Sequence, residues 1–205
     1  MKTLPVLGDV ALAVEGPPQG EWTYADWEML GADDDNRYEI IEGVLYVTTA
    51  PKDFHQWIIS RLIRIVGFPA EDQDLGQCRV APIGVLMPGS DPVQPDFLII
   101  LTENIGIIHG GRVRGVPDLI VEVLSPGSVD YDEGVKLEAY ANAGVPEYAV
   151  IDPAARALRL YRLQEQGIYL TPRAFSGDET ISFACLQSIT FRLSALFDGA
   201  PDTTL

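Results

Sequence analysis

The chain has 205 residues, 47% of them hydrophobic, and a formal net charge of −16 at pH 7. That length and apolar content build a single globular domain with a sizeable core, while the acidic balance argues against a passive nucleic-acid binder, whose affinity rests on lysine and arginine neutralising phosphates. Cys78 and Cys185 are too few and too far apart for a disulfide framework or a zinc site and read as small buried apolar residues, and no apolar stretch reaches the length of a membrane helix.

At the amino end, Pro5, Gly8 and Asp9 interrupt the apolar run after Lys2, which denies it the unbroken core of a secretory signal. Residues 1–21 are expected to be a flexible lead-in to a cytoplasmic protein, followed by one domain over 22–198 and a tail at 199–205. Thr23 caps a short helix through about Leu30, and the acidic loop Asp33-Asp34-Asp35-Asn36 follows. Tyr38 to Thr48 alternates loosely around Glu42-Gly43 and predicts a strand pair. Apolar residues at 58, 59, 62, 63 and 66 predict an amphipathic helix over His55–Val66.

Val80–Met87 reads as a strand, Pro88 to Pro92 as a turn and Asp96–Leu101 as a second strand. A Gly- and Arg-bearing loop over 102–116 leads to Leu119–Leu124, a central strand. Asp132–Ala143 reads as a helix closed by Gly144, with Pro146 beyond it. Tyr148–Ile151 is a buried strand, Leu158–Leu163 a half-exposed one, and short strands continue to about Arg192. Helices bracketing strands predict an α/β or α+β fold with a mixed sheet between helices.

Within this order, Asp96 and Glu122 stand near the ends of two strongly apolar runs, where a carboxylate is costly to desolvate unless a cation or metal meets it. Side-chain alternation sends Asp118, Ile120, Glu122 and Leu124 to one face of their strand and Leu119, Val121 and Val123 to the other. If the two strands are neighbours, the acids can share one hard cation. Taken singly, each acid has a plainer reading, as a loop cap or an arginine's partner. Lysine occurs only at 2, 52 and 136. Lys136 closely follows the acid-bearing strand, although Asp132 and Lys136 also make an ordinary i,i+4 helix pair.

Glu39 and Glu42 are candidates for a further acid, against the commoner role of exposed strand or turn glutamates. His55 is placed to reach a cleft from the start of its helix, a surface position being the plainer expectation. Tyr140, one turn beyond Lys136, is expected to pack on the same stripe. His109 has no evident partner, and Gly110-Gly111 is not followed by the Gly-Lys-Ser/Thr of a phosphate loop. Serine-hydrolase and zinc-protease signatures are absent.

The ordered set Tyr38-Glu39-Ile40-Ile41-Glu42-Gly43, His55, Gln94-Pro95-Asp96, Pro117 to Pro126, Asp132-x-x-x-Lys136-x-x-x-Tyr140 and Gly144-Val145-Pro146-Glu147-Tyr148 resembles the Uma2 family of bacterial restriction-endonuclease-like proteins over about residues 22–195. The resemblance implies the PD-(D/E)xK nuclease fold, a central mixed sheet flanked by helices with metal held at the strand ends. It assigns Asp96 and Glu122 as the acids. The usual lysine two residues after the second acid is replaced by Leu124, so Lys136 takes over that role, and Glu39 matches the family's early acid.

On this basis the chain is expected to be a Mg²⁺- or Mn²⁺-dependent endonuclease acting on DNA, functioning as a homodimer, with no membrane partner. Asp96, Glu122 and the carbonyl of Val123 would hold the metal, Lys136 would orient water, and Glu39, His55 and Tyr140 would support the site. The rival expectations are a catalytically inactive nuclease-like fold serving as a binding or assembly module, which the charge favours, and a metal-free glycosidase using paired carboxylates.

Overall fold

The computed structural model describes residues 6–7, 14–30, 36–48, 53–125 and 128–200. Most of the lead-in, the acids of the 33–36 loop, Lys2, Lys52 and the end of the tail lie outside them. In chain order the elements begin with β1 (Val6–Leu7), α1 (Tyr24–Met29), β2 (Arg37–Ile41), β3 (Val44–Thr48), α2 (Asp53–Leu62), a π-helical turn at Ile63–Gly67 and α3 (Phe68–Asp72). β4 (Gly76–Val80), β5 (Val85–Leu86), β6 (Phe97–Leu101), a 3-10 segment at Thr102–Ile107, β7 (Ile108–His109), β8 (Arg112–Arg114) and β9 (Leu119–Val123) follow. The chain continues through a second π-helical turn at Tyr131–Val135, α4 (Lys136–Ala143), β10 (Glu147–Asp152), β11 (Ala157–Arg162), β12 (Arg173–Ser176), β13 (Thr180–Ile181) and β14 (Phe191–Arg192).

The centre of the molecule is a six-stranded sheet in the order β12-β11-β10-β9-β6-β4. β9 and β10 run parallel, and the other pairs are antiparallel. Parallel neighbours require a crossover, and α4 supplies it. All five residues of β9 are buried, as expected of a strand covered on both faces.

The predicted alternation is realised: Leu119, Val121 and Val123 enter a core with α2 and the carboxy-terminal segments, whereas Ile120 and Leu124 enter a second core with Tyr140, Tyr148 and Val113. Helices therefore cover both faces of a mixed sheet. A third, smaller core packs Trp22 and Trp27 on Ile40, Leu45 and Val47, and the Trp27 indole N–H donates to the Tyr38 carbonyl at 2.7 Å. That bond seats α1 on the β2–β3 hairpin.

Local sequence explains most boundaries. Thr23 and Asp26 form a reciprocal capping box on α1, satisfying backbone N–H groups that a helix start leaves unpaired. Glu42 and Gly43 both take positive φ, 52° and 70°, the combination a tight two-residue hairpin needs to match strand twist. Gly144 closes α4 in the left-handed region at φ 89°, as its position predicts.

Several expectations change. The strand read over Val80–Met87 is two pieces, β4 ending at Val80 and β5 at Val85–Leu86, because Pro82 cannot donate to a ladder between them. The helix read over 55–66 begins at Asp53, so His55 lies inside its first turn and is buried, not at the surface. The loop read over 102–116 holds the 3-10 segment and a small hairpin, β7–β8, turning at Gly110-Gly111. Cys78 and Cys185 are free and half-buried, not fully buried. Val6–Leu7 pairs in parallel with Val47–Thr48, so this part of the lead-in is a strand. Among the described residues no helix is long and apolar enough to cross a membrane.

Candidate active site

Strand register brings the two acids together. β6 and β9 pair antiparallel with Phe97 opposite Val121 and Leu98 opposite Ile120. One step further along that register sets Asp96 against Glu122, and residues directly opposite share a face of the sheet. The backbone N–H of Asp96 accordingly donates to Glu122 Oε2 at 3.3 Å, and the N–H of Val123 donates to Asp96 Oδ2 at 2.9 Å. A strand residue's N–H and C=O point to the same edge, so the Val123 carbonyl lies on the Asp96 side.

Across this face lies α4. The π-helical turn Tyr131–Val135 and the helix that follows put Tyr131, Asp132, Lys136 and Tyr140 toward the acids; such widened turns are frequent at functional sites. Lys136 Nζ sits 2.9 Å from Glu122 Oε1, 3.2 Å from Glu39 Oε2 and 3.5 Å from Asp132 Oδ1. Its three N–H donors thus face three carboxylates, and the helix pair with Asp132 coexists with the site contacts. The Tyr140 hydroxyl donates to Glu122 Oε1 at 2.8 Å, and Tyr148 donates to the Asp132 carbonyl at 2.9 Å.

The first strand of the β2–β3 hairpin completes the wall. Glu39, from β2, is buried; its Oε1 accepts from the Gln94 N–H at 2.7 Å and its Oε2 from the Tyr131 hydroxyl at 3.2 Å. Two residues earlier on the same face, Arg37 Nη1 contacts Asp96 Oδ1 at 2.6 Å, and its Nη2 donates to the Gln94 carbonyl. His55 Nε2 lies 2.9 Å from Asp96 Oδ2. Since that oxygen can only accept, Nε2 carries the proton when the ring is neutral.

Of the sequence candidates, Asp96, Glu122, Lys136, Glu39, His55 and Tyr140 converge here. Glu42 is an exposed turn residue and His109 an exposed hairpin residue, both away from the acids. Asp118 is engaged elsewhere, accepting from the Leu101 N–H and the Asn104 amide. Sequence reading missed Arg37 and Tyr131. Arg37 carried a usable signal, since residues two apart on a strand share a face; Tyr131 carried none.

Electrostatics follow from burial and crowding. Four buried carboxylates, Glu39, Asp96, Glu122 and Asp132, face two permanent cations, Arg37 and Lys136. Burial alone would raise the Asp96 pKa, but Arg37, His55 and Lys136 outweigh it and hold this carboxyl well below the usual carboxylate range. Glu122 moves the other way, pushed up to about 8 by burial, with Asp96, Asp132 and Glu39 adding to it against the pull of Lys136. Burial works against the charge on Lys136, yet Glu122, Glu39 and Asp132 more than reverse it, so its ammonium is held firmly protonated.

This donor set fits a hard divalent ion. Carboxylate and carbonyl oxygens are the ligands such ions take, and the surplus of acid over base is charge that an ion would balance. Among the described residues no three His, Cys, Asp or Glu side chains are already gathered as a metal cage; Asp96 has both oxygens engaged by Arg37, His55 and Val123.

Comparison with curated proteins gives no match. Among solved structures, the chain is similar to a crystal structure described as a "putative nuclease belonging to DUF820" from Anabaena variabilis, with a TM-score of 0.72 and 18% identity over 85% of this chain and 97% of that one. At that identity the likeness concerns the fold, a mixed sheet between helices. The model of the Uma2 family, described as "Putative restriction endonuclease", matches residues 23–194 and spans every group of the site. The chain belongs to the Uma2 family.

Proposed function

We propose that the protein is a Mg²⁺- or Mn²⁺-dependent endonuclease that hydrolyses phosphodiester bonds in DNA. The observation that carries this reading is the meeting of Asp96, Glu122 and the Lys136 ammonium at the ends of adjacent strands, with Lys136 2.9 Å from Glu122. Family and fold support nuclease-like chemistry; the roles of individual groups are our assignment.

Asp96, Glu122 and the Val123 carbonyl would hold the ion, with Glu39 adjoining them. When bound, the ion supplies Lewis-acid polarisation of the phosphate and a lowered pKa for coordinated water. Lys136 Nζ would turn one of its three N–H donors from a carboxylate to the attacking water and would offset charge growing on the phosphoryl oxygens. Tyr140 holds the Glu122 carboxylate in its rotamer, and His55 does the same for Asp96, the kind of support that keeps reacting groups within a fraction of an ångström of their working positions. A homodimer would present two such sites to the two strands of a duplex.

The charge of −16 favours a rival, a nuclease-like fold kept as a binding or assembly module, for which an ion at Asp96 and Glu122 is unnecessary. A crystal soaked in Mn²⁺ separates the two. Our reading expects an anomalous peak between the Asp96 and Glu122 carboxylates, about 2.0–2.6 Å from their oxygens; a clean map there at saturating Mn²⁺ would leave the module.

A further inference from the structure

The two cations of the site are not equivalent. Lys136 is locked: its side chain is 4% exposed and three carboxylates surround it. Among the described residues, Arg37 is held by a single carboxylate, Asp96, and its side chain is 18% exposed, the most open of the charged groups that meet at the acids. The Asp96 oxygen it holds, Oδ1, is the one that neither His55 nor Val123 touches. An ion that takes Asp96 Oδ1 as a ligand arrives beside the Arg37 guanidinium, and the two positive charges repel at that distance.

Among the described residues, Arg37 Nε is buried with no hydrogen-bond partner, as are Gln94 Oε1 and His55 Nδ1. A buried donor left unpaired is costly, and such exceptions in a folded protein ask for an explanation. The guanidinium offers two parallel N–H groups suited to phosphate oxygens, and only one of its edges is used by Asp96 and the Gln94 carbonyl.

We propose that Arg37 works in two positions: on Asp96 Oδ1 while the site is without its ion, and on the phosphodiester once the ion takes that oxygen. The Gln94 carbonyl, bonded to Nη2, is the pivot. The exchange keeps the buried acid compensated at every stage and delivers a cation to the substrate at the moment the ion arrives. Arg37 is thereby a phosphate-binding residue of the reaction as well as the resident counter-ion of Asp96. This inference rests on the metal-dependent reading above.

Calorimetric titration of Mn²⁺ into the wild type, Arg37→Gln and Arg37→Lys tests it without reference to turnover. Coupling between competing ligands is typically about 5–150-fold. Arg37→Gln, with no cation to displace, is expected to bind Mn²⁺ about tenfold more tightly than the wild type while cleaving DNA far more slowly at saturating Mn²⁺. Arg37→Lys keeps the competing charge but loses the planar fork, so it is expected to bind Mn²⁺ like the wild type and to cleave slowly; it also serves if the glutamine variant does not fold. Mn²⁺ affinity in Arg37→Gln equal to or weaker than wild type, or full cleavage by Arg37→Lys, overturns the exchange and leaves the nuclease reading standing. Failure of the wild type to bind Mn²⁺ overturns both.

Discussion

Lys136→Met should lower the stability of the protein by roughly 3–5 kcal/mol, the usual cost of removing one partner from a buried ionic group. The methionine fills much of the same volume, so lost packing contributes little and the effect is electrostatic. Lys136 is in contact range of Glu122, Glu39 and Asp132, all buried. Without the ammonium, these acids must take up protons or separate, and the helix that carries Lys136 is pinned to the sheet through the same contacts. Glu39→Gln in the same chain should return part of the loss, because one fewer acid then lacks its cation, and groups in one network are not additive. Urea denaturation of the two single variants and the double variant measures this. A loss below about 1 kcal/mol, in the range of an exposed surface pair, would contradict the account of Lys136 as the cation on which the acids depend.

The second large effect concerns pH. In metal-free protein, the Glu122 carboxyl titrates near 8 when folded, above its usual 4.5, because burial and the neighbouring acids favour its neutral form. The folded state then holds a proton that the unfolded state has released, so stability falls as pH rises from about 4.5 to about 8 and levels off above, by a few kcal/mol in all. Asp96 acts with the opposite sign. Its carboxyl titrates below the usual 3.8 when folded, which adds stability above that pH and removes it as the solution is acidified further. Metal-free protein is expected to be most stable in mildly acidic solution. Glu122→Gln, which keeps a carbonyl for Tyr140 and Lys136, should flatten the fall on the alkaline side and leave the acid limb in place. Thermal melts in EDTA at pH 5 and pH 8.5 distinguish this from a wild type whose stability rises across the same interval.

How much of this was legible beforehand depends on what kind of interaction places each group. Glu122 stood out because an acid inside a run buried on both faces needs a partner, and alternation alone gave its face. Lys136 stood out through scarcity and proximity. The pairing of β6 with β9 has no local signal, since nothing in either run announces which apolar segments hydrogen-bond; the register that sets Asp96 against Glu122 is a tertiary fact. The burial of Glu39 was hidden for the same reason: the hairpin that carries it, and Arg37 on the same face, belongs to a different sheet and reaches the site through the Gln94 backbone. The plain reading of Asp96, an arginine's partner, is what the structure shows, and the metal-binding role we propose falls on the same side chain. Boundaries failed where a backbone detail overrode the pattern, as at Pro82, where an apolar stretch that scans as one strand divides into two.

The most direct test of the central claim is cleavage of duplex DNA in Mg²⁺ by the wild type and by Asp96→Asn, each shown to be folded. Wild type should cut and stop on addition of EDTA, whereas the variant, with a weakened ligand for the ion, should lose about three orders of magnitude in rate, equivalent to some 4 kcal/mol of transition-state stabilisation. Cleavage by the folded variant at the wild-type rate, or cleavage that EDTA does not touch, would contradict a metal-dependent site at Asp96 and Glu122.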